Sequence, residues 1–190
     1  MATSLSEVLA ARLSAPPLTV APGATTRAAA VLVPLIEGAT LLDSEVVFIV
    51  RPRAMPTHPG QVAFPGGGLM PGEDPVAGAL RETEEELGVA RSVPVVVGRL
   101  DDLVTHTDFV ISPIVAVLPP DVVLVPSPRE VDAIMRVPVR RLLDPAGVRT
   151  ARGRRRIPGP EGRLYFWVAE AHVIWGATGH MLAALLDALR

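Results

Sequence analysis

Glu82, Glu85 and Glu86 fall within little more than one helical turn, behind Gly66-Gly67-Gly68 and Glu73, in a chain whose formal net charge is only −2. Carboxylates at this spacing either form a solvated helix face or hold something positive. At about 100° per residue they share one face spanning about 100°, while Val76, Leu80, Thr83 and Leu87 fall in a separate arc of about 60° that suits a core. Glu82 with Glu86, and Glu82 with Glu85, are like-charge pairs costing about 0.2–0.5 kcal/mol each on an exposed helix. Arg81 can answer one carboxylate, most reasonably Glu73 or a neighbour, which leaves a cluster. Carboxylate oxygens without histidine or cysteine favour hard cations such as Mg²⁺ or Mn²⁺ over zinc. A bound cation would offset the repulsion, and glycine backbone can approach a ligand closely enough for a carbonyl to join the carboxylates.

The elements around this cluster are marked locally. Asp74 is a suitable N-cap, Pro75 a suitable first helical residue and Gly88 a terminator, which predicts a helix over Pro75–Leu87. A short amphipathic helix is expected over 4–14, followed by a Pro/Gly/Thr-rich linker to Thr26. Strands are expected at Ala28–Leu35, Glu45–Arg51, Gln61–Phe64, Val93–Leu100, Phe109–Leu118 and Arg163–Val168, with a further β-rich run at Val122–Val125. Glu130–Val137 reads as strand or irregular segment, Gly66–Gly68 as a turn, Val139–Leu143 as a helical turn and Gly179–Leu189 as a closing helix. Strands outnumber helices with one helix mid-chain, an α/β or α+β pattern rather than a doubly wound parallel sheet.

The 190 residues fit a 1–26 N-terminal helix and linker followed by a single domain over 27–190. The chain has no cysteine, which excludes disulfides and thiolate chemistry and suits a cytoplasmic location. No secretory signal or membrane-spanning run is evident. All 18 basic residues are arginine, against 20 acidic ones, so bulk nucleic-acid binding is not expected.

Gly67, Glu73 and Arg81-Glu82-Thr83-Glu84-Glu85-Glu86-Leu87-Gly88-Val89 match the pattern G-x5-E-x7-R-E-U-x-E-E-x-G-U, where U is a bulky aliphatic residue. The chain thereby resembles the Nudix hydrolases, and Thr83 at a U position is the one departure. The resemblance implies an α/β/α sandwich with a mixed central β-sheet, and Mg²⁺- or Mn²⁺-dependent hydrolysis of a small-molecule nucleotide substrate. It implies Glu82, Glu85, Glu86 and the Gly66 carbonyl as metal ligands, Arg81 and Glu73 as braces, and Glu85 or Glu130 as the catalytic base. A monomer or homodimer without nucleic-acid or membrane partners is expected.

Upstream of the box, Arg51, Gly60, Phe64, Pro65, Gly66 and Gly67 hold their places in a signature similar to that of coenzyme A pyrophosphatases, while Pro56 stands where that signature has arginine. Leu100-Asp101-Asp102 through Pro113, and Ile174-Trp175-Gly176-Ala177-Thr178, resemble the same branch. This implies substrate contacts from Arg51, Arg53, His58, Gly60, Phe64 and Gly67, with coenzyme A as the substrate. ADP-ribose or another nucleotide, and a non-catalytic nucleotide-sensing Nudix domain, are the alternatives. An isomerase on this fold is remote without a cysteine. Five arginines in 149–156 suit either a phosphate contact or an exposed hairpin. His58 and His106 adjoin the family-like segments, and Trp167 and Trp175 are expected in the core, with base stacking the alternative.

Overall fold

The computed structural model describes residues 4–21, 23, 26–55, 58–152, 163–169 and 171–190. Its centre is a pair of parallel strands, β1 (Arg27–Ile36) and β7 (Phe109–Leu118), in register from Arg27↔Phe109 to Ile36↔Leu118. Both are almost continuous apolar runs because both faces are covered. Ala30 and Leu32 of β1 meet Ile114 and Ala116 of β7 on one face, under Ala79 of helix α2 (Pro75–Leu87). Val31, Val33 and Leu35 point the other way and join Leu5 and Leu9 of helix α1 (Leu5–Arg12) and Leu182 and Leu185 of helix α4 (Gly176–Ala188) in the main core. Helices thus flank the sheet on both faces, the expected α/β/α sandwich.

The remaining strands of this eight-stranded mixed sheet are antiparallel to their neighbours. β2 (Glu45–Val50) pairs with the end of β1 and, along its length, with β8 (Ala133–Pro138). β5 (Val95–Arg99) and the short β6 (Leu103–Val104) lie on β7. Near its start β1 changes partner: β3 (Val62–Ala63) pairs with β2, the chain crosses at Phe64 and Pro65, and β4 (Gly66–Gly68) pairs with Ala29–Val31 of β1. The expected glycine turn is therefore a sheet strand, and the split between β1 and β2 brings it beneath α2.

A second antiparallel sheet, β9 (Val148–Arg152), β10 (Arg163–Ala169) and β11 (His172–Ile174), packs on the α4 side through Trp167 and Ile174. Helix α3 (Val139–Leu142) follows β8, and its Val139 N–H donates to Ser44 O. The β-rich run Val122–Val125 forms no strand. Prolines at 119, 120 and 126 bracket it, and it runs past the end of α2, where Val125 N–H caps the Leu87 carbonyl. Among the described residues no helix is long and apolar enough to cross a membrane.

Candidate active site

Helix α2 carries the cluster and its caps fix it. The Asp74 carboxylate accepts from the N–H groups of Val76 and Ala77, Pro75 opens the helix, and Gly88 closes it with its N–H on Glu84 O. Thr83 is fully buried, its hydroxyl donating to Ala79 O at 2.7 Å, so the one departure from the box pattern is satisfied within the helix.

Arg81 does more than answer one carboxylate. Nε and Nη2 donate to Glu73 at 2.8 and 3.0 Å, Nη1 donates to Glu82 at 2.8 Å and more weakly to Glu85 at 3.4 Å, and Nη2 also reaches Gly68 O at 3.1 Å. Glu73 in turn accepts from Met70 N–H at 2.9 Å. The Arg81 hydrogen bonds and the Met70 N–H hold the Glu73 carboxyl down at about 2. These contacts tie α2, the 69–73 loop and β4 into one rigid brace.

At the other end of α2 the charges are not answered. Glu86 is buried, 4% exposed, with a carboxylate oxygen accepting from Gly66 N–H at 2.9 Å. Burial pushes its carboxyl up to about 8 against the pull of that N–H, with Glu82 and Glu130 adding to the rise and Arg51 opposing it. The alternative of a solvated carboxylate face therefore fails at this residue. Glu130 is brought alongside because 125–131 folds over the helix end: Ser127 N–H donates to Glu86 O, and Glu130 N–H to Ser127 O. Arg51, just past β2, has a buried Nε with no hydrogen-bond partner.

Glycine is required at Gly66, and at Gly67 it leaves room for the Glu82 carboxyl. Gly66 has φ of 152°, and a Cβ there would meet Ala30 O at 2.4 Å; a Cβ on Gly67 would sit 2.6 Å from the Glu82 carboxyl. Glu82 and Glu86 therefore lie directly against the β4 backbone, an all-oxygen donor set in character with a hard divalent cation. Among the described residues no three acidic or histidine side chains converge closely enough to close on an ion as they stand. Glu82 is turned onto Arg81 and Glu86 onto Gly66, so ion binding requires side-chain turns while the backbone cradle is already in place.

The other expected site residues separate into two groups. Arg53 and Gly60 line a cavity of about 480 Å³ with Val50, Gln61, Asp132 and Trp175. His58 is exposed with φ of 56°, and His106 is exposed between β6 and β7. Phe64 does not face substrate: it is 2% exposed and stacked on Phe48 with centroids 4.8 Å apart, so it anchors the crossing to β4 by packing. Trp167 is in the core as expected, donating to Leu142 O at 3.2 Å, whereas Trp175 is 45% exposed. Arg149 is exposed on β9; Pro56 and Arg154, Arg155 and Arg156 lie outside the described residues. Sequence reasoning missed Asp132, whose only signal was its place two residues past Glu130.

A sequence-family model described as a NUDIX domain matches residues 26–156. A protein of Photorhabdus laumondii named as an uncharacterized Nudix hydrolase, NudL, is 36% identical over 162 residues, covering 84% of this chain and 83% of that protein. Its namesake in Escherichia coli is 31% identical, covering 84% and 81%. Among solved structures, a MutT/nudix family protein from Enterococcus faecalis superposes with a TM-score of 0.55 at 17% identity, covering 98% of this chain and 70% of that one. The Ap4A hydrolase of C. elegans, in a binary complex, gives 0.50 at 21% identity, covering 60% and 81%. At such identities the structural likeness speaks for the fold alone.

Proposed function

Because the chain belongs to the Nudix family, whose hydrolases act on nucleoside diphosphate derivatives, we propose that it is a Mg²⁺- or Mn²⁺-dependent hydrolase whose substrate is coenzyme A or an acyl derivative. The observation that carries the metal reading is Glu86, 4% exposed near Glu82 and Glu130, with the Gly66 N–H as its hydrogen-bond donor while Arg81 is taken up by Glu73 and Glu82. A divalent cation is the natural complement to that surplus of negative charge. Glu82, Glu85, Glu86 and the Gly66 carbonyl would hold it.

A bound cation would neutralise charge on the diphosphate and acidify the attacking water. Glu85, 49% exposed at the helix surface, or Glu130 takes the proton from that water as it adds to phosphorus. The anhydride oxygen then leaves with the other phosphate, giving 3',5'-ADP and 4'-phosphopantetheine from coenzyme A. Arg81 and Glu73 position the helix against the glycines without touching substrate. Arg51, Arg53, His58, Gly60 and Gly67 lie on the substrate side, with Arg51 and Arg53 suited to phosphate oxygens. The catalytic unit is the 27–190 domain with helix α1 packed on it through Leu5 and Leu9, acting in the cytoplasm as a monomer or homodimer.

Support for coenzyme A comes from the signature-like residues between Arg51 and Gly67 and from the stretch that holds Trp175, of which Arg53, Gly60 and Trp175 line one cavity. The test is turnover of coenzyme A, acyl-coenzyme A esters, ADP-ribose and nucleoside triphosphates with Mg²⁺ or Mn²⁺, products being identified by mass. Coenzyme A species are expected to be cleaved at the diphosphate. Turnover of another nucleotide with none of these would overturn the substrate, and binding without any turnover would favour a nucleotide sensor.

A further inference from the structure

A cavity is built at the junction of the two sheets. Val50 ends β2, Gln61 leads into β3, Asp132 leads into β8, and His172, Val173 and Trp175 come from β11 and the start of α4. Backbone bonds hold these walls together: Asp132 N–H donates to Val50 O at 2.8 Å, Arg51 N–H to Gln61 O at 2.9 Å and Gly60 N–H to Arg51 O at 3.1 Å. At about 480 Å³ it is of small-molecule size. Trp175 is 45% exposed although the chain buries its other tryptophan to 4%. An indole half in solvent at a cavity wall leaves a flat aromatic surface accessible to a ligand, next to Val173, which is 43% exposed.

Resting on the reading above that the substrate is nucleoside diphosphate-linked, we propose that this cavity receives the nucleoside, its base stacking on Trp175 while the diphosphate lies toward Glu86. Asp132 and the Gln61 amide offer an acceptor and a donor to the polar edge of a planar base, Val50 and Val173 supply apolar wall, and Arg53 carries a positive charge to the phosphate end. A flexible aliphatic arm presents neither a flat face to the indole nor a fixed polar edge to Asp132, which is why the nucleoside rather than the group across the diphosphate is assigned here. The reach is right. Gln61 and Gly66 are joined by a segment that spans at most about 17 Å, and Asp132 lies within about 7 Å of chain from Glu130. Trp175 is thus a substrate-binding residue, remote from the bond that breaks.

The test uses the full chain without added metal and three probes: AMP, ribose 5-phosphate and 4'-phosphopantetheine. Binding is read by calorimetry and by Trp175 emission, Trp167 being buried. AMP is expected to bind and change the emission, and the other two probes are not. A stacked base contributes about 1–3 kcal/mol, so Trp175→Ala is expected to weaken AMP about 10-fold or more, with Trp175→Phe within a few-fold of the parent. With the true substrate, Trp175→Ala raises KM and leaves kcat nearly unchanged. An emission response to 4'-phosphopantetheine but not AMP, or equal AMP affinity in the parent and Trp175→Ala, overturns the assignment. Coenzyme A turnover with no AMP response removes this inference and leaves the function standing; an AMP response without coenzyme A turnover does the reverse.

Discussion

The two ends of helix α2 handle the same kind of residue in opposite ways. Toward its start, Glu73 and the Gly68 carbonyl are tied down by Arg81 from mid-helix, which also bonds Glu82 and whose long side chain is 9% exposed yet fully bonded. Toward its end, Glu86 is equally hidden but faces Glu82 and Glu130, with a single backbone N–H as its hydrogen-bond donor. One end spends its charges on holding the helix to β4; the other leaves them available to a ligand. Burial alone therefore does not distinguish a structural ion pair from a site, whereas the balance of partners does.

Breaking the open end should cost activity, and breaking the braced end should cost stability. Glu86→Gln keeps the acceptor for Gly66 N–H but removes the charge. Its kcat/KM with Mg²⁺ is expected to fall at least about 1,000-fold, with an unchanged circular dichroism spectrum. Full activity in this variant would remove the metal assignment. Arg81→Ala is the mirror experiment: it strands carboxylates that are largely buried, so thermal unfolding is expected to show a loss of about 3 kcal/mol, or roughly 6–12 °C. A midpoint unchanged within error would mean that the brace contributes little. Glu130→Gln separates base from bystander. If Glu130 takes the proton, kcat falls about 100-fold with KM little changed; if Glu85 does, Glu85→Gln shows that loss instead.

What could be read from the sequence follows the range of the signals. Helix α2 was legible to its last residue because Asp74, Pro75 and Gly88 act locally, and β7 because ten residues of apolar strand leave little ambiguity. The two-residue strands β3 and β6 are set by their partners, and β6 left no pattern to find. The run Val122–Val125 shows β propensity overridden: Val122 N–H turns back to Pro119 O and Val125 N–H caps the Leu87 carbonyl. In the site, the residues of the box and the Arg81–Glu73 pair were legible, and the backbone partners were not. That Arg81 reaches across to Gly68 O depends on β4 entering the split between β1 and β2, a long-range event. Phe64 and Trp175 make the same point in opposite directions, since a signature aromatic turned out to be packing and an expected core aromatic stands at a cavity wall.

The smallest effect, and the one that bears most directly on the contrast, is the pH dependence of the metal-free protein. Glu73 has its carboxyl lowered from 4.5 to about 2, so its contribution is present above 4.5 and is lost as pH falls toward 2. Glu86 is raised from 4.5 to about 8. Between those values the unfolded chain has released the Glu86 proton and the folded one still holds it, so stability falls as pH rises through this window and levels off above it. The braced end thus favours higher pH and the open end lower pH, and the two windows meet near 4.5. Urea unfolding with chelator present is expected to show less stability at pH 8 than at pH 5, a slope that Glu86→Gln flattens and that Glu73→Gln leaves in place. Adding Mg²⁺ at pH 8 should restore the parent and do little for Glu86→Gln, because the ion is then bound by the charge whose burial caused the loss. A slope that survives Glu86→Gln would place the uncompensated charge elsewhere and dissolve the contrast between the two ends.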